Sequence, residues 1–153
     1  MQQLTAAVTR PNAEQAPRLE AMFVAGETYE VTVRGHRVFV DQPPEAGGQD
    51  SAPTQVELFV GSLVTCVAFY AGRYLTRHGY RRDGLTVWAD YQMATDKPAR
   101  VGSIRVTVRP PADLPPQRWS ALRAVAAHCT VHNSLATPPS VVVGVASPAE
   151  LAR

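Results

Sequence analysis

Lysine is almost missing from this sequence: Lys97 stands alone against 14 arginines in 153 residues. Charge of any kind is scarce, at 18% of residues, and the balance is only +2 at pH 7. The arginines are scattered rather than striped, so there is no electrostatic footprint for a nucleic acid. Cysteine is nearly absent too, with only Cys66 and Cys129. Small secreted scaffolds carry more cysteines, closely spaced, so a disulfide-stapled fold is excluded and a reducing, cytoplasmic setting is expected. No uninterrupted apolar run reaches the roughly 18 residues of a membrane span, and the N-terminus lacks a signal peptide's apolar core. A Gly-rich phosphate loop, a G-x-S-x-G elbow and suitably spaced paired carboxylates are all missing. Nucleic acid and membrane are therefore not expected partners.

What is present is a chain 45% hydrophobic, which excludes disorder and suits one ordinary domain. The first 18 residues, broken by Pro11 and Pro17, read as an N-terminal arm or edge strand, and 19–153 as a single domain. LEAMFVAG, ETYEVTVRG and HRVFVDQ are short β-rich runs punctuated by Gly26 and Gly35, with Val31, Val33, Val38 and Val40 at period two. QPPEAGGQDSAP is a loop. Thr54-Gln55-Val56-Glu57 fits a capping box and opens a helix from Gln55 to His78, apolar on nearly every face until Arg73 and stopped by Gly79. Such a helix is about 36 Å long, against a radius of gyration of about 15 Å for a domain of this size, and must be covered all round. A second subunit is therefore expected to share that task. LTVWADYQMA and RVGSIRVTVRP alternate as two strands. Asp113-Leu-Pro-Pro opens a second helix reaching about His128, a turn or short helix follows, and SVVVGVA reads as a last strand. The order β-β-β-α-β-β-α-β lacks strict βαβ alternation, so the class is α+β.

Several residues could carry chemistry, and each has a plain structural reading beside it. Cys66 lies in the buried helix, either as a packed thiol or as a reactive one given a polar side by Ser62, Thr65 and Tyr70. Cys129 sits at a junction where the amides opening the next turn would favour a thiolate. Glu57 is explained by capping alone, or it also faces a thiol site. Arg34 and Arg37 flank Gly35 as solvated strand residues or as cations for that site. His128-Cys129-x-x-His132 could join Cys66 around zinc, although structural zinc sites usually gather ligands in two close pairs.

The joint pattern resembles the OsmC/Ohr family of osmotically inducible and organic hydroperoxide resistance proteins. It is carried by VRGHRVFVDQPPEAGGQDSAPTQVELFVGSLVTC, where a Gly-rich loop runs into Pro-x-x-x-Glu-Leu with a cysteine nine residues past the Glu. The long apolar helix holding Cys66 and the segment HCTVHNSL complete it, and the resemblance spans roughly Gly26 to Val145. It implies a two-layer α+β fold with antiparallel sheets, a long central helix and a second helix, completed as an intertwined homodimer. It also implies a cysteine-based peroxidase for small organic hydroperoxides, without a bound cofactor or metal. Cys66 would be the peroxidatic residue, Cys129 the resolving one, and an external dithiol the reductant. The family holds its thiolate with a Glu, which Glu57 matches, and with an Arg from the loop before the helix. Here that loop contains no Arg or Lys, so Arg37, or Arg34 beside it, is the substitute on offer. The implied alternative is a non-catalytic binding or oxidant-sensing member with reduced, buried thiols. Phe59, Leu63, Phe69, Tyr70 and Trp88 are expected to wall an apolar substrate site.

Overall fold

A computed structural model of the chain describes residues 18–147. Apart from Arg18, the expected N-terminal arm lies outside the described residues. The chain divides into two compact units, 1–58 and 59–153.

The first unit is built on a three-stranded antiparallel sheet of β1 (Glu20–Ala25), β2 (Thr28–Val33) and β3 (His36–Val40), in that order. Val33 pairs with His36 across the two-residue turn Arg34-Gly35, whose φ values of 48° and 81° are both left-handed. Such turns match the twist of the strands they join, and glycine enters them without strain. Tyr29 faces Val40 and Val31 faces Val38 on one side of the sheet, while Glu30 faces Phe39 and Thr32 faces Arg37 on the other.

The segment after β3 closes around one carboxylate. Asp41 is fully buried. Its Oδ1 accepts the amide of Gln42 at 2.8 Å, and its Oδ2 accepts the amides of Gln49 at 3.1 Å and Ser51 at 3.0 Å and the Ser51 hydroxyl at 2.7 Å. The loop backbone adds a bond from the Asp50 amide to the Gln42 carbonyl. Gly48 passes so close that a Cβ there would lie 1.8 Å from the Gln42 oxygen, which leaves room for glycine alone. The loop expected from composition is thus a folded cage, and the Ser51 amide and hydroxyl lead in holding the Asp41 carboxyl well below the usual range.

Helix α1 (Gln55–Arg77) follows, one residue shorter than expected. Its end is a Schellman turn: the Tyr80 amide reaches the Leu75 carbonyl, the Gly79 amide reaches Thr76, and Gly79 has φ 77°. In the second unit, Leu63, Val67, Ala71, Tyr74 and Leu75 of α1 form one buried stripe at spacings of three and four. Off that stripe, Phe69 is 54% exposed. Averaged along its length, α1 is apolar enough to cross a membrane, as a core helix can also be.

The stripe packs with Leu114, Leu122, Ala126 and Cys129 and with one face of an antiparallel pair, β4 (Thr86–Met93) and β5 (Val101–Arg109). Val87 opposite Val108 and Ala89 opposite Val106 lie on that face, whereas Trp88 opposite Thr107 and Asp90 opposite Arg105 lie on the other. The expected second helix is split. A 3-10 turn at Pro116–Arg118 leads into α2 (Trp119–Ala126), and after a break α3 (Thr130–Ala136) supplies the short further helix.

One expectation is overturned. SVVVGVA forms no strand, and Val143 and Val145 are 90% and 101% exposed. A strand exists only where its backbone groups are paired, and no sheet edge among the described residues receives this run.

The Asp41 cage has a pH signature. Because its folded pKa is depressed, its stabilisation is complete above the ordinary Asp value, about 3.9, and fades as pH falls toward the folded value. Asp41→Asn is therefore expected to melt at a lower temperature than wild type at pH 7. The gap should narrow on acidification below pH ~4, as followed by thermal denaturation across pH.

Candidate active site

Cys66 and Cys129 come together. Cys66, on the twelfth residue of α1, is partly buried and packs against the cluster that contains the fully buried Cys129. The two thiols are near enough for Cys66 to act on the Cys129 thiol, and both are free. Cys129 is also the N-cap of α3, where its Sγ accepts the amide of His132 at 3.4 Å. Burial pushes the Cys129 thiol above the ordinary cysteine value; the amide of His132 pulls the other way, and the Cys66 sulfur adds to the rise. The amides of the following turn therefore do not make Cys129 a ready thiolate, because desolvation outweighs them.

The polar side expected for Cys66 is mostly committed elsewhere. The Ser62 hydroxyl donates to the Phe59 carbonyl at 2.7 Å and the Thr65 hydroxyl to the Gly61 carbonyl at 2.9 Å, both within α1. Tyr70 differs: its hydroxyl lies 3.1 Å from the Thr130 hydroxyl at the start of α3.

Glu57 and Arg37 belong to the first unit and have partners there. The Glu57 carboxylate accepts the Thr54 amide at 2.7 Å and the Thr54 hydroxyl at 3.0 Å, while the Glu57 amide donates back to Thr54 Oγ1 at 3.2 Å. This is the capping box read from the sequence, and its Thr54 bonds hold the Glu57 carboxyl below its ordinary value. Arg37 forms a two-pronged ion pair with Glu30, Nε to Oε1 and Nη2 to Oε2, the latter at 2.6 Å. The guanidinium also stands 5.5 Å from the centre of the Phe39 ring. Its hydrogen bonds lower the Glu30 pKa. Sequence reasoning missed Glu30. The available signal was its period-two alignment with Arg37 across the tight turn, which puts both on one sheet face. Arg34 is exposed at the turn.

Among the described residues no group of three or more His, Cys, Asp or Glu stands close enough to hold a metal ion, so His128, Cys129, His132 and Cys66 do not assemble the considered zinc site. The second unit instead carries an apolar groove of about 570 Å³, lined by Phe59, Leu63 and Val67 of α1, valines of β5, Arg123 of α2 and His132 of α3. Two of the five expected wall residues, Phe59 and Leu63, are in it. Phe69, Tyr70 and Trp88 are not: the groove runs along the buried stripe toward β5, whereas Phe69 and Trp88 point outward at 54% and 42% exposure.

Two antiparallel sheets and three helices, with a free thiol pair joining the long helix to the last one, define an α+β protein of the OsmC/Ohr architecture. The chain belongs to the OsmC-like protein family, whose sequence model matches residues 48–144. Its fold is similar to that of an osmotic stress induced and detoxification response protein from Psychrobacter arcticus, with a TM-score of 0.70 and 18% identity over 76% of this chain and 85% of that one. It is also similar to an OsmC organic hydroperoxide resistance protein from Legionella pneumophila (TM-score 0.59, 17% identity, 81% and 91% covered). The organic hydroperoxide resistance protein OhrB of Bacillus subtilis gives a TM-score of 0.57 at 17% identity, covering 84% and 94%. No curated protein sequence matches the chain.

The unequal burial of the thiols predicts their order of alkylation. With limiting iodoacetamide, Cys66 is expected to label first, and Cys129 at least ~10-fold more slowly until the chain is unfolded, as read by peptide mass mapping.

Proposed function

We propose that the protein is a cytoplasmic, homodimeric thiol peroxidase that reduces small organic hydroperoxides through Cys66 and Cys129. The observation that carries this reading is that a partly buried free thiol packs against the cluster holding a fully buried one, in the same unit as an apolar groove. In the first step the Cys66 thiolate attacks the terminal peroxide oxygen. The O–O bond breaks, the departing alkoxide takes a proton and leaves as an alcohol, and Cys66 becomes a sulfenic acid, oxidised by two electrons. Cys129 then attacks that sulfur: the S–S bond forms, the S–O bond breaks, and water leaves. An external dithiol reduces the disulfide by exchange and is itself oxidised to a disulfide. The raised Cys129 pKa suits the resolving role, because a buried neutral thiol does not compete for the peroxide.

By the family resemblance, Arg37 is the proposed cation for the thiolate and Glu57 the carboxylate proposed to orient an arginine. Arg37 would serve while paired with Glu30, whose carboxylate fixes the guanidinium and partly offsets its charge. The dimer is supported by exposed apolar surface among the described residues: Phe69 on the outer face of α1 and the valine run 141–143. In solution the mass is expected to be twice 16.6 kDa by sedimentation equilibrium.

Peroxide kinetics test the chemistry. Cys66→Ser should abolish consumption of cumene hydroperoxide. Cys129→Ser should still consume one equivalent and accumulate a dimedone-reactive sulfenic acid. Burying about 100 Å² of alkyl or aryl surface in the groove is worth about 2.5 kcal/mol, so cumene hydroperoxide should react up to ~70-fold faster than hydrogen peroxide in stopped flow. Equal rates would remove the groove from the reading, and no reaction from either, with Cys66 reduced and accessible, would favour a non-catalytic role.

A further inference from the structure

Tyr70 follows Cys66 by four residues, one turn further along the same face of α1, about 6 Å away along the axis. Thr130 directly follows Cys129 and is the first residue of α3. The hydroxyls of Tyr70 and Thr130 are 3.1 Å apart although the residues are separated by 60 positions in the chain. This hydrogen bond therefore joins the same two elements as the thiol pair, one step removed from each sulfur.

The other contact that fixes this end of α3 uses a reacting atom. Cys129 Sγ accepts the His132 amide at 3.4 Å, a long bond to a weak acceptor. To join Cys66, Cys129 must adopt the narrow torsion of a disulfide, with Cα atoms within about 7 Å, a demand that competes with that cap. A helix of seven residues has little cohesion of its own once its cap is lost. The Tyr70–Thr130 bond involves no sulfur, so forming the disulfide consumes neither of its partners.

We propose that Tyr70 and Thr130 are positioning residues that latch the Cys129 end of α3 against the Cys66 turn of α1 and so set the rate at which the two sulfurs join. The proposal rests on the thiol-pair reading for its biological use, but the latch itself is testable without any peroxide. The azo oxidant diamide takes two electrons and two protons from a dithiol, forming the S–S bond and a hydrazine.

The experiment measures closure of the Cys66–Cys129 disulfide by diamide, using intact mass and thiol counting, in wild type, Tyr70→Phe, Thr130→Val, the double variant and Thr130→Ser. Loss of one neutral hydrogen bond predicts closure slowed by about fivefold in Tyr70→Phe and in Thr130→Val. The double variant should be no slower than either single one, and Thr130→Ser should close at the wild-type rate. Wild-type closure in Tyr70→Phe, or a Thr130→Ser variant as slow as Thr130→Val, would overturn the latch. Failure of wild type to close would overturn it as well. The same proteins treated with cumene hydroperoxide separate the two ideas. A wild type that closes with diamide and ignores the peroxide leaves the latch standing and removes the peroxidase. If the peroxidase reading also holds, the slow variants should divert more Cys66 to sulfinic acid, because a longer-lived sulfenic acid meets more peroxide.

Discussion

A long helix that is apolar around most of its circumference has to be covered, and in the second unit that need arranges everything near Cys66. Leu63, Val67, Ala71, Tyr74 and Leu75 present one stripe, and the β4–β5 pair, Leu114, Leu122 and Ala126 close over it. Hydrophobic burial is non-directional, so it brings these elements together without specifying their register. The register comes from directional contacts at the edges of the stripe. The Tyr70–Thr130 hydroxyl bond links α1 to α3, and the Cys129 cap on the His132 amide holds the first turn of α3. In this way a requirement of packing delivers one cysteine to another across 63 positions of chain.

The two sulfurs are neighbours in the same cluster and differ in environment. Cys129 is fully buried at the root of a short helix, where desolvation outweighs two nearby amides. Cys66 is partly open to solvent. The first unit gives its own carboxylates specific partners in a similar way. Asp41 is kept ionised by three amides and a hydroxyl, Glu30 by a guanidinium, and Glu57 by its capping threonine. In a chain with only 18% charged residues, each of these carboxylates has been given a specific partner.

Local chemistry was legible wherever the partner lies a few residues away. Period-two valines gave β2 and β3 of the first sheet, Thr54 and Glu57 gave the start of α1, and Gly79 gave its end, because strand alternation, capping boxes and Schellman turns are short-range geometries. The family was legible from the spacing of Glu57 and Cys66 and from HCTVHNSL, since the sequence model covers these segments.

What remained hidden depends on separations in space that sequence spacing does not encode. Asp41 reads as the end of a strand, yet four donors from as far as ten residues on converge on it. Arg37 reads as a solvated cation, yet the hairpin register seats it on Glu30. SVVVGVA has the composition of a strand, but strand formation is a property of two segments, and the second is not supplied within the described chain. By itself, then, the sequence determined the secondary structure of the two hairpins, the limits of α1 and the identity of the two thiols. Tertiary structure decided which sulfur is buried, which groups partner each charge, and that β5 rather than Trp88 walls the groove, because burial, register and desolvation arise only when distant segments meet.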